Sequence, residues 1–368
     1  MDVKHGEVIW TWDGNQVRVG MDTRGTGPIL LLLPALSSIS TRSEMRPLQE
    51  RLADSFTCIT VDWPGFGDRP RPYVAWTPEA YRAFLAHLLA TVVSPAATIA
   101  AGHAAGYVLA RAAERPDSAG RLCLVAPTWR GPLPTMMGRH HSAFARIARV
   151  VDYPIVGPLF YRLNVNPFVV GKMVSGHVYS DPSFLGGERL REKLAVTRAP
   201  GARYSSFRFV SGQLDPMPSR TAFLEMAERV SGPILVIYGA ETPPKSKAEM
   251  LALASLPNVR AVELPAGKLA VHEEYPDQVA EAVLDFLSDL REVRGATPRA
   301  PGAGRTRRLE HFSHLWLIAC LPEPGSVLTG EGAGPIRLVR LVHEPADAGP
   351  GPGLDGCCRR GASEVARE

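Results

Sequence analysis

Six short apolar runs punctuate the chain between residues 29 and 265: Ile29–Pro34, Thr57–Asp62, Ala97–Gly102, Arg121–Ala126, Pro233–Gly239 and Val259–Pro265. Each is rich in Val, Ile or Leu and bounded by turn residues. Continuous apolar runs, as opposed to strict alternation, predict strands covered on both faces. Segments of helical periodicity separate most of them: Arg42–Ala53, Pro78–Val93, Gly106–Arg115, Lys245–Leu256 and Pro276–Leu290. In the last, Val279, Val283, Phe286, Leu287 and Leu290 form one apolar stripe. This alternation predicts an α/β chain with a mostly parallel sheet and helices on both faces. The N-terminal stretch MDVKHGEVIWTWDGNQVRVG alternates polar and apolar and predicts a hairpin. It does not read as a signal peptide, because no long apolar stretch follows a basic start.

The alternation breaks between Thr128 and about Leu214. Pieces such as Ala143–Val151 and Arg189–Val196 are amphipathic and interrupted by Pro and Gly. A helical insertion is predicted, lying as a cap over the C-terminal strand ends, where open α/β sheets bind ligands. The expected organisation is a core in two parts, 1–128 and 215–292, a helical cap insertion at 129–214, and a tail at 293–368. That tail is rich in Gly, Pro, Ala and Arg, lacks lysine and is expected to be disordered.

The totals narrow the function classes. A length of 368 residues with 45% hydrophobic content can bury a sizeable core. The formal net charge of +4 is low for this length and does not argue for nucleic acid or an anionic membrane. The longest apolar run, Ile29–Leu33, is too short to span a bilayer. Five cysteines show no metal-binding spacing: Cys58 and Cys123 sit in strand-like runs, and Cys320, Cys357 and Cys358 lie near the C-terminus. A reduced, cytoplasmic setting is expected. No metal cluster or nucleotide loop is evident, so no cofactor is expected.

Four places can carry chemistry. The first is Gly102-His103-Ala104-Ala105-Gly106, between a strand and a helix. Small residues there allow a tight turn, and the helix start points N–H groups at whatever lies above it. In a large enzyme class this turn reads G-x-S-x-G and lifts out a serine nucleophile; here Ala104 stands at its centre. The plainer reading is a glycine pair that packs a strand on a helix. The second is Pro34-Ala35-Leu36-Ser37-Ser38, after the first strand. It can supply the Leu36 N–H to an oxyanion hole beside the Ala105 N–H, with Ser37, Ser38 and His103 as further donors, or it is an ordinary polar loop. The third is His272, after the last strand, where a catalytic base falls in the chain order Ser, acid, His. The fourth is Glu241, after Pro233–Gly239, as the carboxylate orienting His272, with Asp215 in reserve. Glu241 is one residue before the usual acid position, which Thr242 fills, and it can equally cap the next helix. Aromatics of the insertion (Trp129, Phe144, Phe160, Tyr161, Phe168, Tyr204, Phe207) suit an apolar ligand or the insertion's own core.

Taken in order, these motifs resemble the α/β-hydrolase superfamily over roughly residues 15–290. The segment Asp62–Pro72, DWPGFGDRPRP, is similar to the superfamily's D-x-P-G-x-G-x-S loop, with Asp68 in the serine position. More narrowly, the stretches PALS, AAGHAAGY, VAPTWRGPLPTM, TPPKS and His272-Glu273-Glu274 resemble a branch found in cyanobacteria, plastids and some bacteria, in which alanine occupies the elbow. The resemblance implies an α/β-hydrolase fold with a capped site. It does not carry over acyl-enzyme chemistry, because Ala104 has no nucleophile.

Two readings follow. In one, the chain is a hydrolase-like enzyme on a small apolar ester- or acyl-type substrate, with His272 as general base on water and no serine intermediate. In the other, it is a non-catalytic pseudo-hydrolase that binds a small apolar ligand or a protein partner.

Overall fold

The Asp13-Gly14 turn opens the architecture. Both residues have positive φ, 48° and 71°, as a two-residue hairpin turn requires. They join β1 (Lys4–Trp12) to β2 (Asn15–Gly25) in an antiparallel pair. The six apolar runs become β3 (Ile29–Leu33), β4 (Thr57–Val61), β5 (Ala97–Ala101), β6 (Arg121–Val125), β7 (Ile234–Gly239) and β8 (Val259–Leu264). They form one eight-stranded sheet in the order β1-β2-β4-β3-β5-β6-β7-β8. β2 pairs antiparallel with β4, and every pairing from β4 to β8 is parallel. This is the α/β-hydrolase fold that the sequence resembles. The computed structural model describes residues 2–164 and 167–292. The expected disordered tail at 293–368, with Cys320, Cys357 and Cys358, lies outside the described residues. Among the described residues, no helix is long and apolar enough to cross a membrane.

Both faces of β3, β5, β6 and β7 are buried, which is why their sequences run continuously apolar, whereas the edge strand β8 exposes Arg260 and Glu263. Leu31 and Leu33 of β3 enter one core, and Leu30 and Leu32 enter the other. The first core is roofed by α2 (Pro78–His87), α3 (Ala104–Glu114), α10 (Arg220–Glu228) and α11 (Pro244–Ala254). The second is roofed by α1 (Arg46–Leu52), α12 (Val271–Glu274) and α13 (Pro276–Phe286), with the short α14 (Ser288–Glu292) after it.

Between β6 and β7 the chain forms α4 (Pro132–Met137), α5 (Ala143–Asp152), α6 (Val156–Asn164), α7 (Pro167–His177), α8 (Gly187–Arg198) and α9 (Ala202–Val210). This helical segment is tied to loops that leave the C-terminal ends of β4 and β8. Ser205 donates to the Gly65 carbonyl at 2.5 Å, Ala270 N–H donates to the Val178 carbonyl at 3.0 Å, and the Ser180 and Asp181 N–H groups donate to Glu274, each at 2.9 Å.

An ionic knot, buried except at Asp68, holds the start of the chain against these loops. Arg42 begins a 3-10 turn, Arg42–Met45, before α1. Its guanidinium meets Asp62 at 2.5 Å, Asp68 at 2.7 Å and Asp22 at 3.1 Å, and its N–H donates to Asp62 at 2.6 Å. Gly67, in the Asp62–Asp68 loop, serves this knot. Gly67 has φ +78° and lies so close that a Cβ would overlap the Asp62 carboxylate. Gly67→Ala is therefore expected to cost about 2 kcal/mol or more, from the left-handed backbone and the overlap together. Urea unfolding at pH 7 reads it; an unchanged midpoint would show that the loop tolerates a side chain.

Candidate functional site

The strand-to-helix turn after β5 is tight, and its unusual backbone lies at Gly102 (φ +52°), whereas Ala104 is already the first residue of α3. A Cβ at Gly102 would stand 3.2 Å from the Ala35 Cβ, so the turn and the loop after β3 touch. Ala104 and Ala105 are fully buried. The Ala105 N–H, expected to face an oxyanion, donates to the Gly102 carbonyl at 3.2 Å.

His272 sits in α12, directly after the β8 loop, and is 2% exposed. Its Nε2 lies 3.4 Å from Glu44 Oε1, and neither ring nitrogen has a hydrogen-bond partner among the described residues. Glu44, on the 3-10 turn anchored by Arg42, is 3% exposed. It accepts the Ala35 N–H at 2.6 Å. On its other side stands Lys193 from α8, with Nζ 3.6 Å from Glu44 Oε2 and 3.0 Å from Glu273 Oε1. Tyr179 donates to the same Glu273 oxygen at 2.7 Å.

The electrostatics of this cluster follow from its pairing. Burial pushes the Glu44 carboxyl upward, but the contact with His272 and the Lys193 charge outweigh it, and Glu44 lies below the usual carboxylate range. For Lys193, burial works against the ammonium, and the charges of Glu273 and Glu44 more than offset it. Glu44, His272 and Glu273 bring possible ligand atoms within 4.8 Å of one another, as a metal site would. The Lys193 ammonium already supplies the cation those carboxylates need.

The carboxylate beside His272 is thus Glu44, and this corrects the expectation placed on Glu241. Glu241 is exposed. Its N–H donates to the Gly267 carbonyl at 3.1 Å, and the Gly239 backbone presses on Gly267 so closely that no Cβ would fit. That approach turns the next residue, Thr242, inward at 3% exposure and leaves Glu241 outside. There it joins burial and the Asp181 charge in raising the Glu274 carboxyl.

Asp215, the reserve acid, serves a second cluster. It accepts the Gly131 N–H at 2.8 Å, meets His140 at 2.6 Å and lies 3.4 Å from His103 Nε2. His103 Nε2–H donates to the Leu214 carbonyl at 2.9 Å, an acceptor it shares with the Tyr107 hydroxyl. Burial pushes the Asp215 carboxyl up to about 6 and the His103 ring below its usual value. His103 is therefore held by Leu214 and Asp215, and does not stand as a free oxyanion donor. Leu36 is fully buried, the Ser37 hydroxyl accepts the Ile39 N–H at 3.4 Å, and the buried Ser38 hydroxyl has no partner among the described residues. Of the insertion's aromatics, Trp129 is buried against Phe223 and donates to Glu249, whereas Phe168 is 77% exposed.

Sequence reasoning missed Glu44, Glu273, Lys193 and Tyr179. Thr41-x-x-Glu44 has the form of a helix capping box. Thr41 does cap the Ser43 N–H, but Glu44 turns inward to Ala35. Lys193 lies in the charged run ERLREK and carries no signal that separates it from a solvated lysine.

A family model described as "Alpha/beta hydrolase family" matches residues 30–282. Among curated proteins, the 2-(acetamidomethylene)succinate hydrolase of Mesorhizobium japonicum is 22% identical over 289 residues, covering 75% of this chain and 93% of that protein. The haloalkane dehalogenase 2 of Mycobacterium tuberculosis is 25% identical over 284 residues, covering 74% and 93%. Among solved structures, a hydrolase from Pseudomonas aeruginosa aligns with TM-score 0.59 at 19% identity, covering 76% of this chain and 98% of that one. A thermophilic esterase from Thermogutta terrifontis aligns with TM-score 0.57 at 20% identity, covering 78% and 99%. These structural likenesses show a shared fold.

Glu44→Gln removes one charge from the buried cluster and is expected to cost about 3 kcal/mol at pH 7. Because the folded protein holds this carboxyl below its ordinary 4.5, its stabilisation is complete above that pH and is lost as the pH falls through the lowered value. The gap between wild type and variant should thus be full at pH 7 and shrink below about pH 4. Urea unfolding at both pH values measures it; a gap independent of pH would mean that Glu44 folds uncharged.

Proposed function

The chain belongs to the alpha/beta hydrolase family, and on that footing we propose that it is a hydrolase-type enzyme working without a covalent serine intermediate. Its substrate is a small apolar ester or acyl compound. His272 acts as general base on water, and Glu44 is the positioning residue that stabilises the imidazolium formed. The observation that carries this reading is the His272 ring, buried beside a carboxylate held in its charged form, with neither nitrogen in a hydrogen bond among the described residues. Such a group is poised to take a proton from a bound water or substrate. Ala104 brings no hydroxyl to the turn, so the attacking oxygen comes from water. With the Ala35 and Ala105 N–H groups engaged by Glu44 and the Gly102 carbonyl, the Leu36 N–H and the Ser38 hydroxyl are the donors assigned to a developing oxyanion. The helical segment 129–214 is the cap, and Lys193 and Tyr179 are its contacts to the site. Relatives named as a hydrolase and a haloalkane dehalogenase support a small-molecule substrate.

A second reading rests on the same contacts. Engaged backbone donors and a lysine bridging both carboxylates also suit a pocket that binds without turnover.

A serine-directed fluorophosphonate is expected not to label the protein, since Ala104 offers no nucleophile; stoichiometric labelling at any serine would relocate the site. In a panel of short-chain p-nitrophenyl esters, His272→Gln should lower the wild-type rate by about 100-fold or more. Equal rates for wild type and variant would remove the general-base role and leave the binding reading.

A further inference from the structure

The low net charge of the whole chain conceals a concentration. Residues 129–180 carry six Lys or Arg and a single acid, Asp152, a local +5 in a chain whose total is +4. Asp152 is already committed to Arg208, at 2.6 Å. Arg146, Arg149, Arg162 and Lys172 are exposed and form no ion pair among the described residues.

The exposed apolar surface gathers in the same place. Of the thirteen large apolar side chains that the described residues expose, nine lie between Met136 and Phe168. On α6, Val156 (53% exposed), Leu159 (63%) and Leu163 (66%) recur at helical spacing and share one face. Tyr153 (64%) and Ile155 (84%) continue that strip through the turn from α5. On α5, Arg146, Arg149 and Val150 share a face that leads to Tyr153. The two helices pack against each other, and the exposed cations of α5 lead along the chain, through Tyr153, into that apolar strip.

We infer that this face of the insertion docks on a bilayer surface rich in anionic phospholipid. Leu159, Ile155 and their neighbours enter the headgroup boundary, and the arginines meet lipid phosphates. The charge pattern selects this occupant. An apolar strip alone fits any partner, but exposed cations with no free acid among them match a negative surface and oppose a second copy of the same face. The inference stands apart from the chemistry at His272, because none of these residues belongs to that cluster.

The test is co-sedimentation of the full-length protein with vesicles of phosphatidylcholine alone, or with roughly one-third phosphatidylglycerol. Wild type should bind the anionic vesicles and release from them as salt rises. Arg146→Gln with Arg149→Gln should weaken that binding about 25-fold, at roughly five-fold per surface cation removed. Ile155→Ser with Leu159→Ser should weaken it about ten-fold or more. All four side chains are exposed, so both variants should keep the wild-type melting temperature. Equal binding to the two vesicle types, or wild-type binding by both variants, would overturn the inference. So would a wild-type dimer that Ile155→Ser with Leu159→Ser converts to monomer, since the strip would then be covered by a second copy.

Discussion

A carboxylate buried away from water must be met by positive or donating groups on every side, and Glu44 imposes that requirement on this fold. Its partners come from distant parts of the sequence: the Ala35 N–H from the β3 loop, the His272 ring from the β8 loop, and Lys193 from the helical insertion. None of these segments can move far without stranding a charge. The 3-10 turn that carries Glu44 is itself pinned by Arg42 through Asp22, Asp62 and Asp68. The knot at Arg42 thus sets the geometry at His272, two residues and one ion pair away.

Two acid–histidine clusters stand at this end of the molecule, and their electrostatics differ for an identifiable reason. Glu44 has a lysine, a backbone donor and an imidazole, and its charged form wins over burial. Asp215 has the Gly131 N–H and two histidines but no buried lysine, and burial dominates, raising it to about 6. His103 is likewise held toward its neutral form. The first cluster is suited to stabilising a transient positive charge on a histidine. The second braces the β5 turn against Leu214 and Gly131, and Pro216 beside it packs against Gly106 too closely to leave room for a Cβ.

The helical insertion joins both faces of the protein's behaviour. Inward, it supplies Tyr179 and Lys193 to the site. Outward, it carries the exposed apolar and cationic side chains between Met136 and Phe168.

The strands and the parallel sheet they form were legible in the sequence because continuous apolar runs and helical stripes report burial, a local property that each segment carries in its own residues. The hairpin was legible from the alternation of polar and apolar residues at the N-terminus, and the place of His272 from its position after the last apolar run. The identity of its carboxylate was not. Glu241 has the right place in chain order, but the approach of Gly239 to Gly267 turns Thr242 inward in its stead. Glu44 reads as a helix cap and Lys193 as a solvated charge, and only tertiary contacts bury them together. A side chain's type and period follow from the local sequence. Which buried charges face each other depends on loops meeting across the sheet edge, and no short stretch of sequence encodes that meeting.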